Sequence, residues 1–182
     1  MKHVFLCLCL AGALTACDSN EPSKSADNPA DAKVAAAADE KMDYAYTIEH
    51  PDQWEWGSKE NTKLVLQSLK HWEQGNMQAC MANFGDSVHL KFDGMDAKMP
   101  RDSVSKMFTE DRTKYKSVVV NMEDFESVKS KANGVEYVSL WYKQKWEDQK
   151  GVWDSVYCMD DLQLKNGKII SIDSKSRKYP KK

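Results

Sequence analysis

Two adjacent carboxylates, Asp160 and Asp161, lie in the middle of a stretch from Val152 to Leu164 that is rich in β-branched and aromatic residues. In a strand, successive side chains point to opposite faces, so one of the two carboxyls turns inward. A carboxyl in an apolar pocket resists ionisation because burial penalises its charged form, and it can then donate a hydrogen bond or shuttle a proton. The competing outcome is a carboxylate that faces water or pairs with a lysine. The same alternation groups Trp153, Ser155, Tyr157, Met159 and Asp161 on one face, and Val152, Asp154, Val156, Cys158 and Asp160 on the other. The first set combines large aromatics with polar groups able to orient a ligand. Tyr157, Met159 and Asp161 are therefore the candidate pocket residues, with Trp72 and Trp141 as neighbours and Asp161 as the one weak candidate for catalysis.

Other chemistry finds little support. His50, His71 and His89 have no ligand spacing, and there is no Cys-x-x-Cys pair and no acidic calcium loop, so no metal is expected. No glycine-rich phosphate loop and no Gly-x-Ser-x-Gly elbow are present, so neither a nucleotide cofactor nor covalent catalysis is expected. What stands out is aromatic loading: six tryptophans and seven tyrosines, accompanied by nine methionines. Such residues suit a small-ligand cavity and equally suit a plain core.

The N-terminus carries a thiol with a different role. Lys2 and His3 precede an apolar run, Val4 to Leu14, which is too short to span a bilayer, and Leu14-Thr15-Ala16-Cys17 closes it. This arrangement resembles the bacterial lipobox. The resemblance implies cleavage before Cys17, diacylation of its thiol and palmitate-type anchoring in the outer or inner membrane of a cell envelope. An anchor of two or three chains is stable because each buried CH₂ contributes about 0.8 kcal/mol. The expected organisation is a signal peptide over 1–16, a tether over 17–42 that lacks aromatics, and one domain over 43–182. Removing Cys7, Cys9 and Cys17 from the five cysteines leaves Cys80 and Cys158, which is no disulfide framework. The pair could bridge, or serve as small buried hydrophobes. A net charge of −2 argues against a nucleic-acid partner.

The domain reads as helices followed by long strands. Ser58 is a fair N-cap for a helix through Glu73, with Leu64, Val65, Leu69 and Trp72 at helical spacing before Gln74-Gly75-Asn76 ends it. Met77 to Phe84 reads as a second helix and Ser87 to Phe92 as a strand. Asp93-Gly94 turns into a return strand, Met95 to Met99, and Pro100 opens a third helix to about Lys114. Ser117 to Lys129, Gly134 to Asp148, Val152 to Leu164 and Lys168 to Ser174 then form a four-stranded meander, closed at Asn166-Gly167 by a tight turn. The predicted class is α+β: a cone-shaped, curved, mostly antiparallel sheet packed against about three N-terminal helices.

Over Ser58 to Asp173 this order resembles the nuclear transport factor 2-like superfamily and its SnoaL-like members. The likeness is carried by Leu69-Lys70-His71-Trp72-Glu73-Gln74-Gly75-Asn76-Met77, Phe84-Gly85-Asp86-Ser87-Val88, Phe92-Asp93-Gly94, and Leu162 through Asn166-Gly167-Lys168-Ile169-Ile170. Measured against ketosteroid isomerases on this scaffold, the position of the general base holds Phe92, that of the oxyanion-hole tyrosine holds Ser68, and that of the second acid holds Asp161. With one acid in three retained, the expectation is a non-catalytic lipoprotein whose cone binds a small apolar or amphipathic ligand, or whose sheet binds a protein. The alternative is a cofactor-independent isomerase, cyclase or dehydratase using Asp161. The superfamily also implies a homodimer through the outer sheet face, with Val119 and Val138 buried between subunits.

Overall fold

The computed structural model describes residues 44–49 and 53–179. The chain divides into two units, residues 1–46 and 47–182. Of the first, only 44–46 are described, and they are exposed. The expectations for the signal peptide, Cys17 and the tether lie outside the described residues.

The described residues of the second unit form three helices and a seven-stranded sheet. In chain order these are β1 (Trp54–Trp56), α1 (Lys59–Gln74), α2 (Met77–Met81), β2 (Phe84–Phe92), β3 (Met95–Pro100), α3 (Arg101–Arg112), β4 (Tyr115–Ser130), β5 (Glu136–Asp148), β6 (Trp153–Lys165) and β7 (Lys168–Lys178). The sheet order is β1-β4-β5-β6-β7-β2-β3, open at both edges. Every neighbouring pair is antiparallel except β2 and β7, which run parallel. This is the expected α+β class. Three elements differ from the expectation. Phe84 belongs to β2 rather than to α2, β7 continues past Ser174 to Lys178, and β1 adds an edge strand beside β4. β7 extends because Met159, Cys158, Tyr157 and Val156 of β6 pair with Lys175 through Lys178, whatever the polarity of the added residues.

Local chemistry fixes the helix ends. The Ser58 side chain accepts the Asn61 N–H at the start of α1, and Gly75 ends it in the left-handed region at φ 75°, as a glycine readily does. The last turn between β6 and β7 has both Asn166 and Gly167 at positive φ, the signature of a type I′ hairpin.

The register of β4 against β5 shifts between Met122 and Asp124, and such an irregularity bends a strand and increases its twist. The sheet curls, and its concave face is the apolar one. Val138, Leu140 and Tyr142 of β5, Leu162 and Leu164 of β6, Ile169 and Ile172 of β7, and Val88 and Leu90 of β2 are all buried there. Val65, Cys80, Met81 and Val104 from the helices join them in one core. Val138, expected on the outer face, is fully buried in this core, whereas Val119 is 37% exposed. Val138 faces inward because it pairs with Leu162 in the buried set, two residues along β5 from Leu140.

One side chain ties three elements together. From the end of α3, Arg112 donates Nε–H to the Trp72 carbonyl and Nη2–H to the Glu73 carbonyl at the end of α1, and Nη1–H to the Tyr115 carbonyl where β4 begins. These carbonyls include the ones a helix terminus leaves without intrahelical partners. Arg112→Ala is expected to lower unfolding stability by about 2 kcal/mol, as for charge-assisted hydrogen bonds. Arg112→Lys recovers only part of this in denaturant titration, because an ammonium on a flexible stem lacks the planar fork that serves the three acceptors.

Candidate functional site

Between the concave sheet face and the helices lies a cavity of about 640 Å³. α1 contributes Val65, Ser68, Leu69 and Trp72, α2 contributes Cys80, and α3 contributes Met107, Phe108, Glu110 and Asp111. The sheet contributes Phe84 and Phe92 of β2, Leu140, Tyr142, Gln144 and Trp146 of β5, Val156, Cys158, Asp160 and Leu162 of β6, and Ile172, Ser174 and Ser176 of β7. Aromatic edges meet around Phe108, whose ring lies 5.9 Å from Trp72 and 6.3 Å from Phe84, centroid to centroid.

Burial along β5 and β6 gives the cavity its direction. Asp154 is exposed and Val156 half-buried, whereas Cys158, Asp160, Leu162 and Leu164 are buried or nearly so. The cavity therefore deepens from a rim near Trp146 and Tyr115 toward Leu140 and Leu162. Halfway down, the Trp72 indole N–H donates to Gln144 Oε1 at 3.2 Å.

The polar group at depth is Asp160, 8% exposed. Its Oδ2 accepts the Tyr142 hydroxyl at 2.6 Å and its Oδ1 accepts the Ser174 hydroxyl at 2.5 Å. Strand pairing explains the meeting: Asp160 pairs with Leu140 on β5, Ser174 stands opposite it on β7, and Tyr142 is two residues along β5 on the same face. Burial pushes the Asp160 carboxyl above its ordinary value, and the hydrogen bonds from Ser174 and Tyr142 oppose that rise. Burial, reinforced by the Asp160 charge, drives the Tyr142 phenol well above its usual range. Cys158 is pushed up to about 12, first by burial and then by Asp160, so it is a protonated thiol and a poor nucleophile. Cys80, the other cavity thiol, is also raised by burial, and Ser68 donates to its carbonyl at 2.7 Å. Both thiols are free.

The strand faces are the reverse of the assignment made from residue types. Cavity-lining residues of β6 come from the set containing Val156, Cys158 and Asp160, and the set containing Tyr157, Met159 and Asp161 lies on the outer sheet face. There Asp161 accepts the Ser139 hydroxyl at 2.5 Å and sits 3.8 Å from the Lys175 ammonium, which also bonds Asp173 at 2.8 Å. Tyr157 has Arg177 over its ring, and Trp141 pairs with Met159. Of the five candidates, Trp72 alone lines the cavity. Phe92 and Ser68, which the sequence resemblance aligned with the ketosteroid isomerases' general base and oxyanion-hole tyrosine, line it as well.

Residue type favours Asp161 over Asp160 as the inward carboxyl, leaves Tyr142 among the general aromatic content, and does not single out Ser174. The signal for Asp160 was in the sequence: extended to the end of the strand, its alternation set gains Leu162 and Leu164, while the other gains Gln163 and Lys165. Two leucines demand burial where a glutamine and a lysine do not. Among the described residues, no group of three or more His, Cys, Asp or Glu is placed to hold a metal ion.

The architecture, a curved antiparallel sheet wrapped on helices around a cavity, is the nuclear transport factor 2-like fold. Solved structures bear this out. AusH from Aspergillus nidulans superimposes with a TM-score of 0.55 over 69% of this chain and 90% of its own, at 13% identity. An NTF2-like protein from Anabaena variabilis ATCC 29413 gives 0.55 over 69% and 96%, at 12% identity. An LEH-like epoxide hydrolase of M. tuberculosis gives 0.54 over 66% and 84%, at 11% identity. No protein-family model and no curated protein matches the sequence.

The position of Asp160 has a consequence for stability. Its carboxyl takes up a proton more readily folded than unfolded, where it titrates near 3.9. That contribution is full below about pH 4 and is lost as pH rises through the raised folded value. Denaturant titrations between pH 4 and pH 7 should show the stability of the wild type, relative to Asp160→Asn, falling as pH increases. A difference that stays flat would mean that Asp160 ionises as an ordinary surface carboxyl.

Proposed function

We propose that this protein is a lipid-anchored envelope protein, non-catalytic, whose cone-shaped cavity binds a small apolar or amphipathic molecule held at depth by a hydrogen bond to the Asp160–Tyr142–Ser174 group. The observation that carries this reading is the cavity itself, about 640 Å³ with mostly apolar walls and one buried polar cluster. Ligand sites commonly have this build, in which apolar walls supply affinity and a few fixed polar groups supply orientation. Binding is favoured over catalysis because both Asp160 oxygens already accept hydroxyl donors and the other lining carboxyls, Asp93, Glu110 and Asp111, lie toward the rim. Among the described residues, no second carboxyl or histidine lines the depth of the cavity beside Asp160 to complete a proton-transfer pair.

Native mass spectrometry of the protein purified gently from its host is expected to reveal a co-purifying small molecule. Asp160→Asn and Tyr142→Phe should each weaken its retention about tenfold, or about 1.4 kcal/mol. Asp161→Asn and Tyr157→Phe, on the outer face, should leave it unchanged. An empty wild-type protein, or equal losses from both faces, would count against the reading.

The raised Asp160 carboxyl favours one second reading, in which Asp160 donates its proton to the oxygen of a bound epoxide as water attacks a ring carbon, the ring C–O bond breaks, and Tyr142 supports the charge that develops on that oxygen. Two structural neighbours, the M. tuberculosis protein and SalBIII, bear the descriptions epoxide hydrolase and epoxide hydrolase/cyclase-like enzyme. Under this reading Asp160→Asn abolishes turnover of an epoxide probe while the fold persists. Turnover that survives the substitution removes it.

The anchor belongs to the same proposal and rests on the Leu14-Thr15-Ala16-Cys17 sequence. Growth with an alkyne-tagged palmitate analogue is expected to label the wild type and to leave Cys17→Ser unlabelled. Label that persists in the variant, or is absent from the wild type, would refute lipidation at this thiol.

A further inference from the structure

The charges lining the cavity are lopsided. Four carboxyl groups line it, those of Asp93, Glu110, Asp111 and Asp160, against a single ammonium, that of Lys114. Lys114 is already committed: it bonds Asp111 at 2.8 Å, and this carboxylate raises the lysine above its ordinary range. Two further cations act on these acids: Lys106, 4.0 Å from Glu110 on an exposed helix face, and Lys175, whose charge reaches Asp160 from the outer sheet face. Among the described residues Asp160 makes no direct ion pair. Its partners are hydroxyls, and Lys175 on the outer face bonds Asp173 and approaches Asp161.

The rim also offers aromatic faces. The Tyr115 and Trp146 rings lie 5.7 Å apart at the entrance, and Tyr115 feels the charges of both Asp111 and Lys114. Aromatic faces flanked by carboxylates attract a cation and repel an anion, the more so where water is partly displaced. One cation already sits at this rim, the Lys114 ammonium held by the Asp111 carboxylate.

Resting on the cavity-binding reading above, we infer that the ligand class is an amphiphile with a protonated amine, its apolar body within the cone and its ammonium at the Glu110–Asp111–Trp146 rim. An uncharged head is accepted less well, and a carboxylate head on the same chain is rejected. A fatty acid would bring its carboxylate against a rim that has no uncommitted ammonium to receive it, and no guanidinium lines the wall. The apolar body needs no such matching, since the burial of methylene groups is the same for all three heads.

The test uses three probes with one ten-carbon chain, decylammonium, decanol and decanoate, titrated calorimetrically into the mature chain of residues 17–182 carrying Cys17→Ser, at pH 7 and low salt. Decylammonium should bind at least about tenfold more tightly than decanoate, with decanol between them, and the gap should narrow as salt is raised. Glu110→Lys at the rim should shrink the gap, and Glu126→Lys, which makes the same charge change on the outer sheet face, should not. Decanoate binding as tightly as decylammonium would overturn the head-group assignment and leave the cavity reading standing. A gap reduced equally by both variants would overturn it too, since the preference would then belong to the net charge of the protein. If none of the three probes binds, the cavity-binding reading falls and this inference falls with it.

Discussion

The cavity depends on how α1 is held at its two ends. At its start, the buried Glu136 of β5 accepts the Ser58 backbone N–H and the Asn61 side-chain amide, placing a carboxylate at the positive end of the helix. At its other end, the Arg112 guanidinium holds the Trp72 and Glu73 carbonyls, where the helix dipole favours positive charge. Between these points Trp72 bonds Gln144 across the gap, and Val65 and Ser68 are buried. The helix is thus pinned across the concave sheet face by polar contacts at its termini. A helix held only by its apolar stripe would be free to settle until the space beneath it closed, because interiors favour native packing density. Pinned ends keep the space open.

The sheet supplies the second half of that geometry. Strands of eleven to sixteen residues cannot lie flat, and the register shift near Glu123 adds curvature where β4 passes beneath α1. The alternation of each strand then sorts residues into a wall and an outer face. On β5 the wall set runs Val138, Leu140, Tyr142, Gln144, Trp146, passing from fully buried aliphatic to half-exposed polar and aromatic. Antiparallel pairing copies the gradient onto β6, so Leu162 and Asp160 lie opposite Val138 and Leu140, and Val156 opposite Gln144. The grading of the sheet wall, from aliphatic residues around the Asp160 group at depth to polar and aromatic ones at the rim, follows from one strand order.

How much of this was legible in the sequence varies by element, for physical reasons. The Ser58 cap, the Gly75 stop, the Asn166-Gly167 turn and the long strands are written in local chemistry, and they fall where local chemistry puts them. The three-residue β1 is too short for an alternation to be seen, and the parallel pairing of β2 with β7 joins segments about eighty residues apart. Neither has a local signature. On β6, aromatic content points to the wrong face for the pocket. Trp153, Tyr157 and Met159 instead occupy the outer face, with Lys143, Lys145, Lys175 and Arg177 on the neighbouring strands beside them. Long aliphatic stems and cations cover aromatic faces well, so such rings tolerate half-exposure that Leu162 and Leu164 would not. The inward side of Asp160 is legible on its own strand, but its meeting with Tyr142 and Ser174 is not, since the three come from three strands and meet only through register.

That cluster is best understood as a unit rather than as a carboxyl with two helpers. Burying Asp160 costs the fold at neutral pH, as its raised proton affinity indicates. Two hydroxyl donors reduce that cost, yet they also make Asp160 hard to lose: an aliphatic residue in its place would leave the Tyr142 hydroxyl, itself buried, without its acceptor. Replacing all three by apolar residues of similar shape would remove both penalties, so stability alone gives no reason for the trio. Its members also line the wall of a cavity, where a purely structural bond would be exposed to competition from whatever enters. A polar group that costs stability and faces an open apolar space has its natural use in meeting what enters that space, and this connects the energetics of the sheet to the reading of the site.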